Sequence, residues 1–478
     1  MKTEVSTHRG RVAGLRDNGI VSFRGIPYAA APTGRRRFAA PVGHAGWVGV
    51  RDATRFGATC TRRPYSGALG AILPDPVIAG DDTLNVNVWA PADAEPGSLP
   101  VLVWFHGGSL VHGSNAVPIY DGTAFAASGI VFVSVNYRLG VDGFGQLPDA
   151  PANRGLLDQL AALQWVQVNI GAFGGDHDRV TIAGESAGAY SVAALMATPL
   201  GAGLFHRAVM QSGPTAAASS DHAAAVTERL AGILGVPRTA AALSEIDLPT
   251  LDDAQEELLA DGSPLTGGPA FTFVVDGHSL PEGPDRLLAK GAGGAVPLLL
   301  GTNRDEYRLW TVPGGRTGTV SEAALARSAE QLGVPDAVLH RYRDRPDNSP
   351  GEILGRIASD RLLWLPTMRL ARARRKNRSA ATFMYQFNWP AGELGACHAL
   401  ELPFVFGTHR AASSLVGADA PDDLHRAMHG AWVDFINSAD PGWAPWSADQ
   451  PTMVFDSPVS DVTDGPRAAD FEAYGDWR

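Results

Sequence analysis

The chain is 478 residues long, 45% hydrophobic, and carries 39 basic against 50 acidic side chains, a formal charge of -11. That is apolar material for a large core, while the acidic balance leaves no basic footprint for nucleic acid or for an anionic membrane surface. The N-terminal Met1-Lys2-Thr3-Glu4-Val5 lacks the charged-then-apolar pattern of a secretory signal, and no apolar run nears the roughly 20 residues that span a bilayer, so a cytoplasmic protein without a membrane partner is expected.

In chain order, residues 100–105 (PVLVWF) and 130–135 (IVFVSV) are short β-branched apolar runs, as expected of strands buried on both faces. Leu156, Leu160, Leu163, Val166 and Ile170 then recur at helical spacing. Residues 180–183, 208–210, 296–300 and 381–387 read as further strands, and 424–437 as a late helix. Alternation of this kind predicts an α/β fold, a mainly parallel sheet with helices on both sides. The 34 Pro and 55 Gly are spread along the chain, no linker or repeat interrupts it, and one domain over residues 1–478 is expected. Only two cysteines occur, Cys60 and Cys397. A disulfide framework is not expected, and a reducing compartment is the simpler reading.

In such sheets the active site lies beyond the carboxyl ends of the strands. Three strand ends carry chemistry. After 180–183 comes Gly184-Glu185-Ser186-Ala187-Gly188, a G-x-S-x-G turn that would hold a serine hydroxyl out toward a base. In so glycine-rich a chain that pattern arises by chance roughly a third of the time, so its neighbours must carry the inference. After 100–105 comes His106-Gly107-Gly108-Ser109. Standing alone it is an ordinary glycine turn; beside a serine elbow it is the second half of an oxyanion hole, completed by the N–H of Ala187. After 296–300 comes Asn303-Arg304-Asp305-Glu306, where spacing alone leaves the acid open between Asp305 and Glu306, and either carboxylate could equally be a cap or a solvated charge. The chain order Ser, acid, His of α/β-hydrolases leaves His340, His398, His409, His425 and His429 as candidate bases. Asp176-His177-Asp178 has no second ligand cluster nearby and reads as loop, and neither a metal nor an organic cofactor is expected.

Together these segments resemble type-B carboxylesterases, the cholinesterase-like α/β-hydrolases, and most of all their bacterial para-nitrobenzyl esterase members. The resemblance runs from Phe23-Arg24-Gly25-Ile26-Pro27-Tyr28 through Leu84-Asn85-Val86-Asn87-Val88-Trp89, His106-Gly107-Gly108, Asn136-Tyr137-Arg138-Leu139-Gly140 and Phe173-Gly174-Gly175-Asp176. It continues through the serine elbow, Gln211-Ser212-Gly213 and Val274-Val275-Asp276-Gly277 to Glu401-Leu402-Pro403-Phe404-Val405-Phe406-Gly407. It implies an α/β-hydrolase fold with insertions around an active-site gorge, and a triad of Ser186, Glu306 and His398. It also implies oxyanion donors at Gly108, Ser109 and Ala187, and a polar support from Glu185 and Ser212. The implied activity is cleavage of small carboxylic esters through an acyl-serine. A carbamate or activated-amide hydrolase is the alternative, and a non-catalytic binding protein of the same family is disfavoured because all three triad residues are present. A monomer is favoured.

Departures from the family pattern carry information too. Thr83 replaces the usual partner of Cys60, which excludes the family disulfide. Ser109 stands where glycine or alanine is usual. The loop from Cys60 to Thr83 holds Tyr65 but no tryptophan, which argues against choline esters. Phe271 fits an acyl-pocket wall or plain core equally well. By analogy with a buried ion pair of the family, Arg37 is expected to pair with Asp81.

Overall fold

A computed structural model of the protein describes residues 1–60, 62–260, 270–377, 379–475 and 477. Among them thirteen strands form one sheet. They are β1 (Lys2–Thr7), β2 (Gly10–Asp17), β3 (Ile20–Pro27), β4 (Val50–Asp52), β5 (Asn85–Pro91), β6 (Leu99–Phe105), β7 (Val131–Val135), β8 (Gly175–Glu185) and β9 (Arg207–Gln211). A separate pair, β10 (Ala218–Ser219) and β11 (Val274–Val275), intervenes before β12 (Leu298–Asn303), β13 (Thr382–Phe387), β14 (Pro451–Phe455) and β15 (Asp461–Asp464). The spatial order is β1-β2-β3-β5-β7-β6-β8-β9-β12-β13-β14-β15, with β4 beside β2. From β7 to β14 every neighbouring pair is parallel. Antiparallel strands close both flanks.

Side chains alternate across the sheet and so build two cores. In β6, Val101, Val103 and Phe105 face one core, shared with Leu156, Leu163 and Val166 of α1 (Arg154–Asn169), the wholly buried α2 (Ala187–Ala197), and Leu365 and Ala371 of α3 (Leu365–Lys376). Leu102 and Trp104 face the other, against Met428, Trp432 and Phe435 of α4 (Asp422–Ser438). Each fully buried side chain of this kind contributes about 1.5–3 kcal/mol. Small residues let α2 lie close on the sheet, which fixes where its N-terminus meets β8.

Two specific expectations from the sequence fail in the structure. Strand β8 begins at Gly175, so Asp176-His177-Asp178 belongs to the strand and not to a loop. Its ladder to β6 is irregular between Leu99 and Val101, which lets polar, exposed residues interrupt the apolar run. The expected Arg37–Asp81 pair is not formed. Arg37 Nε instead reaches Asp142 Oδ2 at 3.1 Å, and its Nη1 donates to the carbonyls of Leu243 and Ile246. The helical turn Gly140–Phe144 brings Asp142 beneath the guanidinium, while Asp81 stays at the surface.

The segment between β7 and α1 is fastened by two buried arginines. Arg138 forms a bidentate pair with Asp158, Nε to Oδ2 at 2.8 Å and Nη2 to Oδ1 at 2.7 Å. Arg154, fully buried, donates to the carbonyls of Asp142, Pro151, Val141 and Gly145. Cys60 and Cys397 are both buried and free, the Cys60 thiol donating to Tyr137 O. No helix among the described residues is long and apolar enough to cross a membrane.

Candidate active site

Ser186 sits between the end of β8 and the start of α2 with φ 57° and ψ -122°. Non-glycine residues adopt a positive φ at a cost of about 1–3 kcal/mol, and they hold it only where the surroundings enforce it. Here the Ser186 N–H donates to Gln211 O at 2.8 Å. A Cβ on Gly188 would press into the carbonyl oxygen of Phe105, and one on Gly184 into the backbone of Gly188. Both glycines of the motif are therefore demanded by close backbone approach.

The structure brings Glu306 and His398 together from the ends of β12 and β13. Glu306 is fully buried, and His398 is 3% exposed. His398 Nδ1 lies 2.5 Å from Glu306 Oε2, and its backbone N–H donates to Glu306 O. The other carboxylate oxygen, Oε1, accepts from Ser212 Oγ at 2.6 Å and from the Asn303 N–H at 2.7 Å. Asp305 serves a different purpose, its Oδ2 accepting from the Ala396 N–H and pairing with Arg304. Glu185 Oε1 lies 2.8 Å from His398 Nε2, but out of line for a hydrogen bond, and Nε2 has no hydrogen-bond partner among the described residues. Burial disfavours the charged imidazole; the carboxylates of Glu185 and Glu306 outweigh it and hold the His398 pKa well above the ordinary histidine value.

The glycine turn after β6 lies across the same cleft. Gly108 has φ 114°, and a Cβ there would run into His112 O. Ser109 follows with φ 56° although it is not glycine. Among the described residues no acceptor takes the N–H of Gly108 or Ser109, so both remain available, as does the first N–H of α2 at Ala187, at the positive end of the helix dipole. A Cβ on Gly107 would fall 2.7 Å from Glu185 Oε2, so this turn and Glu185 pack directly.

A further buried layer escaped the sequence reading. Glu401 Oε1 accepts from Gln211 Nε2 at 3.0 Å, and its Oε2 from Asn303 Nδ2 at 2.7 Å; Trp432 Nε1 in turn donates to Gln211 Oε1. Burial, then repulsion by Glu185 and Glu306, raises the Glu401 pKa to about 8. Its only sequence trace is the motif after His398, which gives no sign that the acid points inward.

The cleft opens to solvent. Ser186, His398, Glu185, Gly108 and Ser109 line it together with Tyr65, Leu73, Val117, Ile119, Tyr120 and Trp310. Asp75 also reaches it, but is spent on a buried ion pair with Arg62. Phe271 packs in the core and is not part of this lining. No cluster of three metal-ligating side chains occurs among the described residues.

A parallel sheet with helices on both faces, crossed by a strand–serine–helix elbow, defines an α/β-hydrolase. Residues 1–464 match the model of the carboxylesterase family. The chain is 35% identical to a para-nitrobenzyl esterase of Bacillus subtilis, over 95% of each sequence, and 33% identical to a phenmedipham hydrolase of Pseudarthrobacter oxydans, over 94% of each. The crystal structure of a Geobacillus stearothermophilus carboxylesterase superposes with a TM-score of 0.88 at 35% identity, covering 99% of this chain and all of that one. The chain belongs to the carboxylesterase family and is a carboxylic ester hydrolase of the serine type.

Proposed function

We propose that Ser186, His398 and Glu306 are its catalytic triad, acting on uncharged esters of aryl or alkyl alcohols with short to medium acyl groups. The observation that carries this reading is the buried 2.5 Å contact between His398 Nδ1 and Glu306, with Ser186 on the same cleft wall. His398 Nε2 takes the hydroxyl proton as Ser186 Oγ attacks the carbonyl carbon, and Glu306 stabilises the imidazolium so formed. The N–H groups of Gly108, Ser109 and Ala187 receive the charge that develops on the carbonyl oxygen. The imidazolium then protonates the departing alcohol, leaving an acyl-serine. Water, deprotonated by the same nitrogen, attacks the acyl-serine carbonyl and releases the acid. Glu185 and Ser212 support the base, Ser212 through its hydrogen bond to Glu306. Neither a metal nor an organic cofactor enters any step.

Apolar lining around the serine and the pairing of Asp75 with Arg62 favour neutral substrates. The same geometry accepts carbamates and activated amides, which is the second reading; a panel of esters, carbamates and anilides graded by acyl size separates the two. The two free thiols fit a reducing, cytoplasmic setting, and the continuous sheet fits one domain over residues 1–478. The deciding measurement is turnover of a short-acyl aryl ester by Ser186→Ala, expected at least about 10⁴-fold below the parent enzyme. Equal turnover by the two proteins removes the assignment.

A further inference from the structure

His398 touches more than carboxylates. The indole of Trp310 lies against its imidazole, with ring centroids 4.8 Å apart and planes inclined by 40°. Tyr307 backs Trp310 at 5.0 Å. Trp310 comes from the same turn as Glu306: the N–H groups of Leu309 and Trp310 bond to the carbonyls of Glu306 and Tyr307, which brings positions 306 and 310 to one side of the turn. That turn is itself fixed. The Tyr307 N–H donates to Ser359 Oγ, and Arg308 pairs with Glu352 at 2.5 Å and donates to Glu393 O.

Glu306 holds the imidazole at Nδ1, and a pivot about that contact would swing Nε2 between Glu185 and Ser186. The other nitrogen faces Glu185 here, 2.8 Å away and unbonded, whereas catalysis requires it to face Ser186. An indole tilted against one side of the imidazole limits how far such a swing can go toward that side. The same surface attracts the ring more strongly once it is charged, and an apolar replacement such as leucine keeps the ring covered while removing that attraction.

We propose that Trp310 is a positioning residue: with Glu306 it forms a two-point clamp on His398, keeping Nε2 in the arc between Glu185 and Ser186 and stabilising the imidazolium of the transition state. The proposal rests on the triad reading and is tested with variants that leave Glu185, Glu306 and Glu401 in place. For Trp310→Leu, and for Trp310→Met should the first not fold, kcat for para-nitrophenyl acetate is expected to fall about tenfold, between the scales of an exposed and a desolvated cation–π contact. KM should change by less than about twofold, the acidic limb of kcat/KM should move to lower pH, and Trp310→Phe should restore both. The second readout needs no turnover. In Ser186→Ala protein the NMR resonance of the His398 Nδ1–H should titrate at lower pH once Trp310→Leu is added. An unmoved limb and an unmoved titration, with only KM altered, would reduce Trp310 to a wall of the cleft and overturn the proposal. If Ser186→Ala kept full activity the triad reading would fall, and the NMR titration would still decide the role of Trp310.

Discussion

Ser212 shows how much of this site is electrostatic preparation. Its hydroxyl and the Asn303 N–H occupy Glu306 Oε1 and leave Oε2 for the histidine, so the acid has one bonding geometry open to it. Glu306→Gln keeps the shape and loses the charge, and kcat is expected to fall about 10³–10⁴-fold with KM little altered, as read by steady-state kinetics. His398 must be neutral to accept a proton. Its raised pKa therefore places the rise of kcat/KM with pH above the ordinary histidine range, and Glu185→Gln should move that rise to lower pH. A pH–rate profile of the two proteins checks this, and an unshifted rise would deny Glu185 its charge effect. The same raised pKa makes the His398 contribution to stability full at low pH and lost as pH climbs through it, so activity and this share of stability run in opposite directions. The sequence left Asp305 and Glu306 open on spacing, and family resemblance chose Glu306; of the two, Glu306 is the one buried against His398. Glu401, Gln211 and Asn303 stayed hidden, since a polar side chain in sequence does not declare which way it points.

At the scale of elements, strand and helix periodicity exposed the parallel centre of the sheet, because strands buried on both faces are continuous apolar runs. It missed most of the antiparallel flank from β1 to β5 and shortened β8, where half-exposed polar residues resemble loop. Resemblance stretched too far at Arg37. The family pairing named Asp81, but the turn after β7 supplies Asp142, a contact set by tertiary placement and not by local pattern. Glycine positions make the junction of β8 and α2 testable. Gly188→Ala would drive a methyl group into the Phe105 carbonyl, and loss of folded protein, or destabilisation above about 3 kcal/mol, is expected. Gly232 is the control, exposed within the helix Ser220–Leu234, where an added methyl group would meet nothing within 4 Å. Gly232→Ala should stabilise by about 0.5–1 kcal/mol in urea denaturation.

For the whole molecule, the absence of a disulfide between Cys60 and Cys397 means that stability rests on the two cores and on buried polar pins such as Arg138–Asp158. Unfolding curves with and without a thiol reductant should therefore coincide. A downward shift of the midpoint under reductant would reveal a covalent link. Asp158→Asn, by contrast, leaves Arg138 buried without its counter-charge and is expected to cost about 3–5 kcal/mol.

The sheet order also governs when the enzyme comes into being. β12 lies between β9 and β13, so Glu306 and His398, the proposed acid and base, meet Ser186 only once strands from residue 298 onward have paired beside β9. The strands β5–β9 by themselves carry Ser186 and the glycine turn but neither Glu306 nor His398, and so lack the base of the proposed triad. Under the proposed triad, pairing of these later strands is the step that arms the serine.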